Sequence, residues 1–319
     1  MEFVLTAAVG VSLSLGGSGG PGELIEEARL ALVRAKEQGP GSHQIHDVVI
    51  HARAMARLQL EARLREAMAA GEMRLHYQPI VDAKTGRTAG VEALVRWHDP
   101  ERGVIGPDEF VGVAEETGII IPLSQWILAE AVDQLARWHT EIPGDPALFM
   151  SVNVSGRHFG QPDIAEQLAT TIARSGVLRG SVHIEVTETA IMTDLDNAAH
   201  ALARLQESAV KVYVDDFGTG YSSLSYLVRL PLNGLKIDRS FVRQASHSPE
   251  SMEVVRTIAR LAETLGLTAI AEGVETEGQM EGITALGVPF VQGYLFGRPL
   301  EAGAMTDRLR MEATVAASA

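Results

Sequence analysis

Cysteine is absent from the 319 residues. The chain therefore cannot build a disulfide, a thiol nucleophile or a cysteine-ligated zinc site. Basic residues are scarce as well: 27 Lys and Arg stand against 41 Asp and Glu, a formal charge of −14. A general basic surface for gripping a DNA or RNA polymer is not expected from that balance. A phosphate compound handled by such a chain needs metal ions or a few placed Lys and Arg side chains. No apolar run reaches the ~18 residues that span a bilayer. Residues 1–15, MEFVLTAAVGVSLSL, have the length of a signal sequence, but Glu2 stands where a basic start is usual and no A-x-A site follows. The alternation in VGVSLSL reads as a strand instead. These absences lead to the expectation of a cytoplasmic protein, with room for a membrane anchor or sensor in a longer upstream sequence.

The residues present are those of a chain with a large core. Hydrophobic residues make up 46% and charged residues 21%, enough to fill one large domain, or a large one beside a small one. Residues 1–50 read as one or two strands, a turn at SGGPGE, an amphipathic helix in ELIEEARLALVRAKEQG and a closing QIHD. That is too little for an ordinary independent core. Residues 51–71 read as a linker helix stopped by Gly71. From residue 72 to about 305 short apolar runs alternate with helical stretches, and 306–319 reads as a C-terminal tail. The expected strands are RLHYQPIV, TAGVEALVRW, ALFMSVNVS, SVHIEVTE, VKVYVDD, LNGLKID, LTAIAEG and VPFVQGY. Eight strands alternating with helices over about 235 residues fit a TIM-like (β/α)₈ barrel, typically ~250 residues long.

The polar residues fall in a pattern. A strand buried on both faces should read as a continuous apolar run. Here nearly every strand carries a charge or a metal-type ligand near its C-terminal end: Glu92, Asn153, Glu185, Asp215 with Asp216, Lys236, Glu272 and Gln292. Taken singly, each is an ordinary cap or loop residue. Repeated at the same end of successive strands, they converge on the barrel mouth, where active sites of this fold lie. Five carboxylates at one mouth repel, and divalent cations relieve the conflict. Oxygen-only donors, with no paired-His motif in the sequence, favour Mg²⁺ or Mn²⁺. The adjacent Asp215 and Asp216 sharpen the point. Neighbouring strand residues face opposite ways, so both can serve one site only where the strand ends. The following FGTG is consistent with such a break.

VEALVRW at 91–97 resembles the signature of EAL domains, the cyclic di-GMP phosphodiesterases. QPIVDAKTG, SVNVS, IEVTET, DDFGTGYSSL, LKIDRSFV, AEGVE and QGYLFGRPL follow in the family's order, so the resemblance covers about residues 70–302. It implies a barrel whose first strand is antiparallel to the rest, hydrolysis of cyclic di-GMP to linear pGpG, and two divalent cations. By the same resemblance Glu92, Asn153, Glu185 and Asp215 hold one cation. Asp215 reaches the second, with Asp216 and Glu272 beside it. Lys236 contacts the attacking water or the phosphate, and Gln292 orders water or substrate. Gln78 and Arg96 contact substrate, and Glu188 anchors the loop FGTGYSSL at 217–224. A homodimer is implied as well. An EAL domain that binds the nucleotide without cutting it is the alternative. Residues 1–50 resemble the C-terminal third of a GGDEF domain without its catalytic hairpin, implying truncation or decay of an upstream domain.

Overall fold

The structure is a computed structural model that describes residues 6–13, 21–144, 146–219, 224–245 and 248–317. It divides into two compact units, Met1–Leu64 and Arg65–Ala319. In the first, strand β1 (Val9–Val11) pairs in parallel with β2 (His43–Ile45). A parallel pair needs a crossover, and the helix Pro21–Glu37 supplies it. Gly10 lets that helix lie directly on β1, since a Cβ there would come within 2.2 Å of the Ala28 carbonyl oxygen. The helix expected from residue 51 begins earlier and spans Asp47–Ala70. Gly71 follows at φ +69°, in the left-handed region that ends helices.

In the second unit the strands are β3 (Met73–Asp82), β4 (Thr88–Asp99), β5 (Gly103–Ile105), β6 (Phe149–Asn153), β7 (Val182–Thr187), β8 (Lys211–Phe217), β9 (Gly234–Ile237), β10 (Thr268–Ala271), β11 (Phe290–Gln292) and β12 (Leu300–Glu301). β3, β11, β10, β9, β8, β7, β6 and β4 neighbour one another in that order, and a β3–β4 pairing closes the ring. Each of the eight expected runs supplies one of these strands. β3 is antiparallel to both neighbours, while the other barrel pairings are parallel. β5 and β12 are short antiparallel additions to β4 and β3.

Apolar side chains fill the barrel below its mouth. Ile80, Phe149, Tyr213 and Ile270 form one buried cluster. His183 is stacked between Phe149 at 4.2 Å and Tyr213 at 4.8 Å. Burial drives its imidazole pKa down to about 3, so it serves as a neutral aromatic plate. Residues 302–317, which include most of the segment read above as a tail, form a helix with Met305 and Leu309 buried. Thr306 accepts a hydrogen bond from the Trp138 indole at 2.8 Å, and the Glu312 carboxylate accepts from the Thr88 backbone N–H at 2.8 Å. Among the described residues no helix is long and apolar enough to cross a membrane.

Candidate active site at the barrel mouth

Lys236 is the centre of the mouth. β9 reads GLKI, and every residue of it is buried. A lysine in such a strand needs anions around it. Its Nζ lies 2.5 Å from Glu272 Oε1, 2.6 Å from Glu185 Oε2, 3.4 Å from Asp215 Oδ1 and 3.6 Å from Glu92 Oε1. Four strands or strand ends thus aim carboxylates at one ammonium. A second web lies beside it. Gln292 Nε2 donates to Glu92 Oε2 at 2.6 Å and to Gln78 Oε1 at 3.2 Å. Asn153 Nδ2 donates to Glu92 Oε1 at 2.7 Å. Gln78 and Glu92 are cross-strand partners in the β3–β4 register. Asn153, Glu92, Glu185, Asp215, Lys236, Glu272 and Gln292 are therefore brought together, as their strand positions led one to expect, and Gln78, expected only from the family resemblance, joins them.

Two of these residues sit differently from the expectation. Glu92 is not near a strand end: β4 runs on to Asp99. Its parallel pairing with β6 stops at Ala93, and beyond that it pairs with the antiparallel β3 and β5. The β3–β4 pairing continues past Glu92, away from the turn, as far as Met73 and Trp97. The strand also does not end at the paired aspartates. β8 continues to Phe217, with a register irregularity against β9 between Val214 and Phe217. Asp216 lies in this bulge at φ +52°, a left-handed conformation uncommon outside glycine. A bulge re-aims side chains without ending a strand. Asp216 is exposed on the rim, and its backbone N–H donates to Asp215 Oδ1 at 3.0 Å. Exposed as the residue is, partial desolvation of its carboxyl, and then the charges of Asp215 and Asp238, push the group up. Asp238 was missed in the sequence, although it stands in the same LKIDRS run as Lys236.

Arg96 lies on the same face of β4 as Glu92, half-buried, and donates to the Val95 carbonyl at 2.8 Å. Trp97 points to the other face, where it packs edge-on against Phe110 and donates to Glu72 at 2.9 Å. Glu188 is buried at the start of the helix Glu188–Thr193. The loop it is expected to anchor includes residues 220–223, which lie outside the described residues.

The electrostatics of the mouth are those of crowded, buried carboxylates. Burial, then neighbouring carboxylates, pushes the Glu185 carboxyl far up, against the pull of Lys236. The same causes push Glu272 up to about 8. Glu185 Oε1 is buried with no hydrogen-bond partner among the described residues. One ammonium does not satisfy this many carboxylates. The all-oxygen donor set, one orphaned carboxylate oxygen included, fits hard divalent cations.

A pH dependence follows. A carboxyl group whose pKa rises on folding binds its proton more tightly in the folded chain. Its contribution to stability is present at low pH and is lost as pH rises through the folded value. Protein stripped of divalent cations by chelator is expected to lose thermal stability between about pH 5 and pH 8 as the pH approaches the folded value of Glu272. Lys236, pushed up, stays charged across that window. Saturating Mg²⁺ or Mn²⁺ is expected to flatten the decline. Melting temperatures measured across this range, with and without cation, check it. A chelated protein that gains stability with pH would contradict the origin given to these shifts.

Comparison with known proteins gives a consistent picture. The EAL domain family matches residues 61–299. The chain is 39% identical over 308 residues to a cyclic di-GMP phosphodiesterase, NbdA, of Pseudomonas aeruginosa, covering 97% of this chain and 39% of that protein. It is 38% identical over 302 residues to a bifunctional diguanylate cyclase/cyclic di-GMP phosphodiesterase, MucR, of the same organism, covering 94% and 44%. The chain thus spans less than half the length of these curated relatives. A solved structure described as PaMucR phosphodiesterase in a c-di-GMP complex is 40% identical, with a TM-score of 0.74, covering 77% of this chain and 99% of that one.

Proposed function

Because the chain belongs to the EAL domain family, we propose that it hydrolyses one phosphodiester bond of cyclic di-GMP to give linear pGpG, using divalent cations at the barrel mouth. The observation that carries this reading is the four-carboxylate cage around Lys236. It exceeds the two carboxyl groups that suffice for glycoside hydrolysis, and it suits a substrate whose phosphate is itself anionic.

Glu92, Asn153, Glu185 and Asp215 would hold one cation, and Asp215, Asp216 and Glu272 a second, Mg²⁺ or Mn²⁺ in each case. The four caged carboxylates and Asp216 on the rim, set against one ammonium, leave a formal −4, which a pair of dications balances. When bound, such cations lower the pKa of water and neutralise charge on the phosphoryl oxygens. Lys236 supplies a positive donor fixed between Glu185 and Glu272, available to the attacking water or to charge growing on the phosphate. Gln292 holds Glu92 and Gln78 in place by its two hydrogen bonds and lines the floor beneath the substrate. Gln78 presents its amide to the nucleotide. Arg96, above Glu92 on the same strand face, pairs with a phosphate, and Glu188 fixes the loop after β8. The strongly acidic composition disfavours DNA or RNA polymers as ligands. A homodimer, a cytoplasmic setting and a GGDEF origin for residues 1–50 belong to the same reading. The matches to both curated relatives extend over nearly the whole chain, upstream of the EAL region.

Arg96→Ala is expected to raise KM for cyclic di-GMP about 10-fold or more, the loss of one charged hydrogen bond, with a smaller change in kcat. Steady-state kinetics separate the two. Incubation of cyclic di-GMP with the chain and Mg²⁺ or Mn²⁺, followed by chromatography, tests the activity itself. Linear product is expected. Intact nucleotide despite calorimetric binding would make the domain a receptor.

A further inference from the structure

A second donor set lies on the β3–β4 hairpin, apart from the carboxylates. His76 on β3 and His98 on β4 turn their Nε2 atoms toward each other at 3.2 Å. Their rings meet edge to face, with centroids 5.4 Å apart. Glu301 on β12 is the register partner of His76. One ligand atom from each of His76, His98 and Glu301 lies within 4.8 Å of the other two, with both histidines half-buried. No sequence motif announces this set, because the three residues come from different strands.

We propose that His76, His98 and Glu301 form a binding site for a borderline transition-metal dication of the Zn²⁺ class. Zn–N bonds of 2.0–2.1 Å in a tetrahedral site place two nitrogens about 3.3 Å apart, close to the separation observed. A histidine ligand usually gives its other N–H to a backbone carbonyl or carboxylate, which fixes the tautomer. The Pro299 backbone acts on the His76 ring in the sense such a partner would, favouring its protonated N–H. Burial, and then the Arg96 guanidinium, holds the His76 imidazole below its ordinary pKa, so the ring is neutral at pH 7, the form that ligates. His98 acts on His76 in the same direction as Arg96, and Glu301 opposes both. A cavity of about 550 Å³, whose lining includes His98, Glu301, Arg74, Glu130 and Trp126, opens beside two of the three ligands. Two imidazoles and one carboxylate suit Zn²⁺, Co²⁺ or Ni²⁺ better than Mg²⁺ or Mn²⁺. The site is thus set apart from the mouth by donor type.

Co²⁺ is the probe, added to the full chain with Mg²⁺ in excess so that oxygen-donor sites are filled. One equivalent is expected to produce the visible absorption of four-coordinate Co²⁺, and Zn²⁺ is expected to displace it. Glu301→Gln, at an exposed position, is expected to weaken Co²⁺ binding at least about 10-fold. His98→Ala is expected to abolish the signal, while Glu185→Gln keeps it. No four-coordinate signal from the unaltered chain would overturn the proposal. So would a signal that survives Glu301→Gln and His98→Ala unchanged, or one lost only in Glu185→Gln. Should His98→Ala fail to fold, the exposed Glu301→Gln decides the matter alone.

Discussion

Lys236→Met is expected to lower turnover of cyclic di-GMP by about two to three orders of magnitude while leaving affinity for Mn²⁺ unchanged or improved. The two effects separate because of where the ammonium lies. Lys236 is 1% exposed and within 3.6 Å of four carboxylates. It competes with dications for the same oxygens, so its removal does not weaken their binding. What disappears is a preorganised donor in a site shielded from water, where electrostatic stabilisation is strongest. Stability should respond in a metal-dependent way. In chelator the variant leaves buried carboxylates with no counter-charge, at a cost of about 3–5 kcal/mol, softened as they take up protons. Mn²⁺ should restore most of that loss. Urea titrations with and without Mn²⁺, beside kcat and calorimetric affinity, read all three quantities. Equal losses of turnover and of Mn²⁺ affinity would remove the role assigned to Lys236.

Glu92→Ala is expected to reduce turnover by on the order of 10³-fold or more, through the opposite failure. Its carboxylate accepts from Gln292 at 2.6 Å and from Asn153 at 2.7 Å. Truncation removes a cation ligand and frees both amides to turn. The cation concentration needed for half-maximal activity should rise sharply, whereas in Lys236→Met it should not. Glu92→Gln keeps the shape and loses the charge, and should fall between wild type and Glu92→Ala. Near-normal activity of Glu92→Ala at limiting cation would show that the ligand set has been drawn wrongly.

The barrel and most of its mouth are legible in the sequence for a simple physical reason. A strand buried on both faces leaves few places for polar residues, so Asn153, Glu185 and Lys236 stand out against FMSV, VHI and GL. The two errors of placement arise where that rule lapses. Glu92 sits mid-strand because β4 changes partners along its length, from β6 to β5, and a run of residues does not reveal a change of partner. Asp216 reads as a strand end because a bulge and a stop look alike in VYVDDFG. Asp238 was passed over because it ends a short apolar run where a cap is the usual explanation, and it does accept from the Ser240 backbone N–H at 3.0 Å. His76, His98 and Glu301 were invisible for a different reason. A metal-binding histidine pair shows in a sequence when its members are close along the chain, whereas these donors meet only through the β3–β4 and β3–β12 registers.

On the proposed function, the carboxylates around Lys236 hold divalent cations against the phosphate of a cyclic dinucleotide. Calorimetric titration of the full chain with Mn²⁺, alone and with cyclic di-GMP, is the most direct test. Two Mn²⁺ per chain are expected when nucleotide is present, with Glu185→Gln and Asp215→Asn each losing binding and His98→Ala retaining it. A folded chain that takes up no Mn²⁺ in either condition, or whose uptake survives both carboxylate substitutions, would contradict the claim.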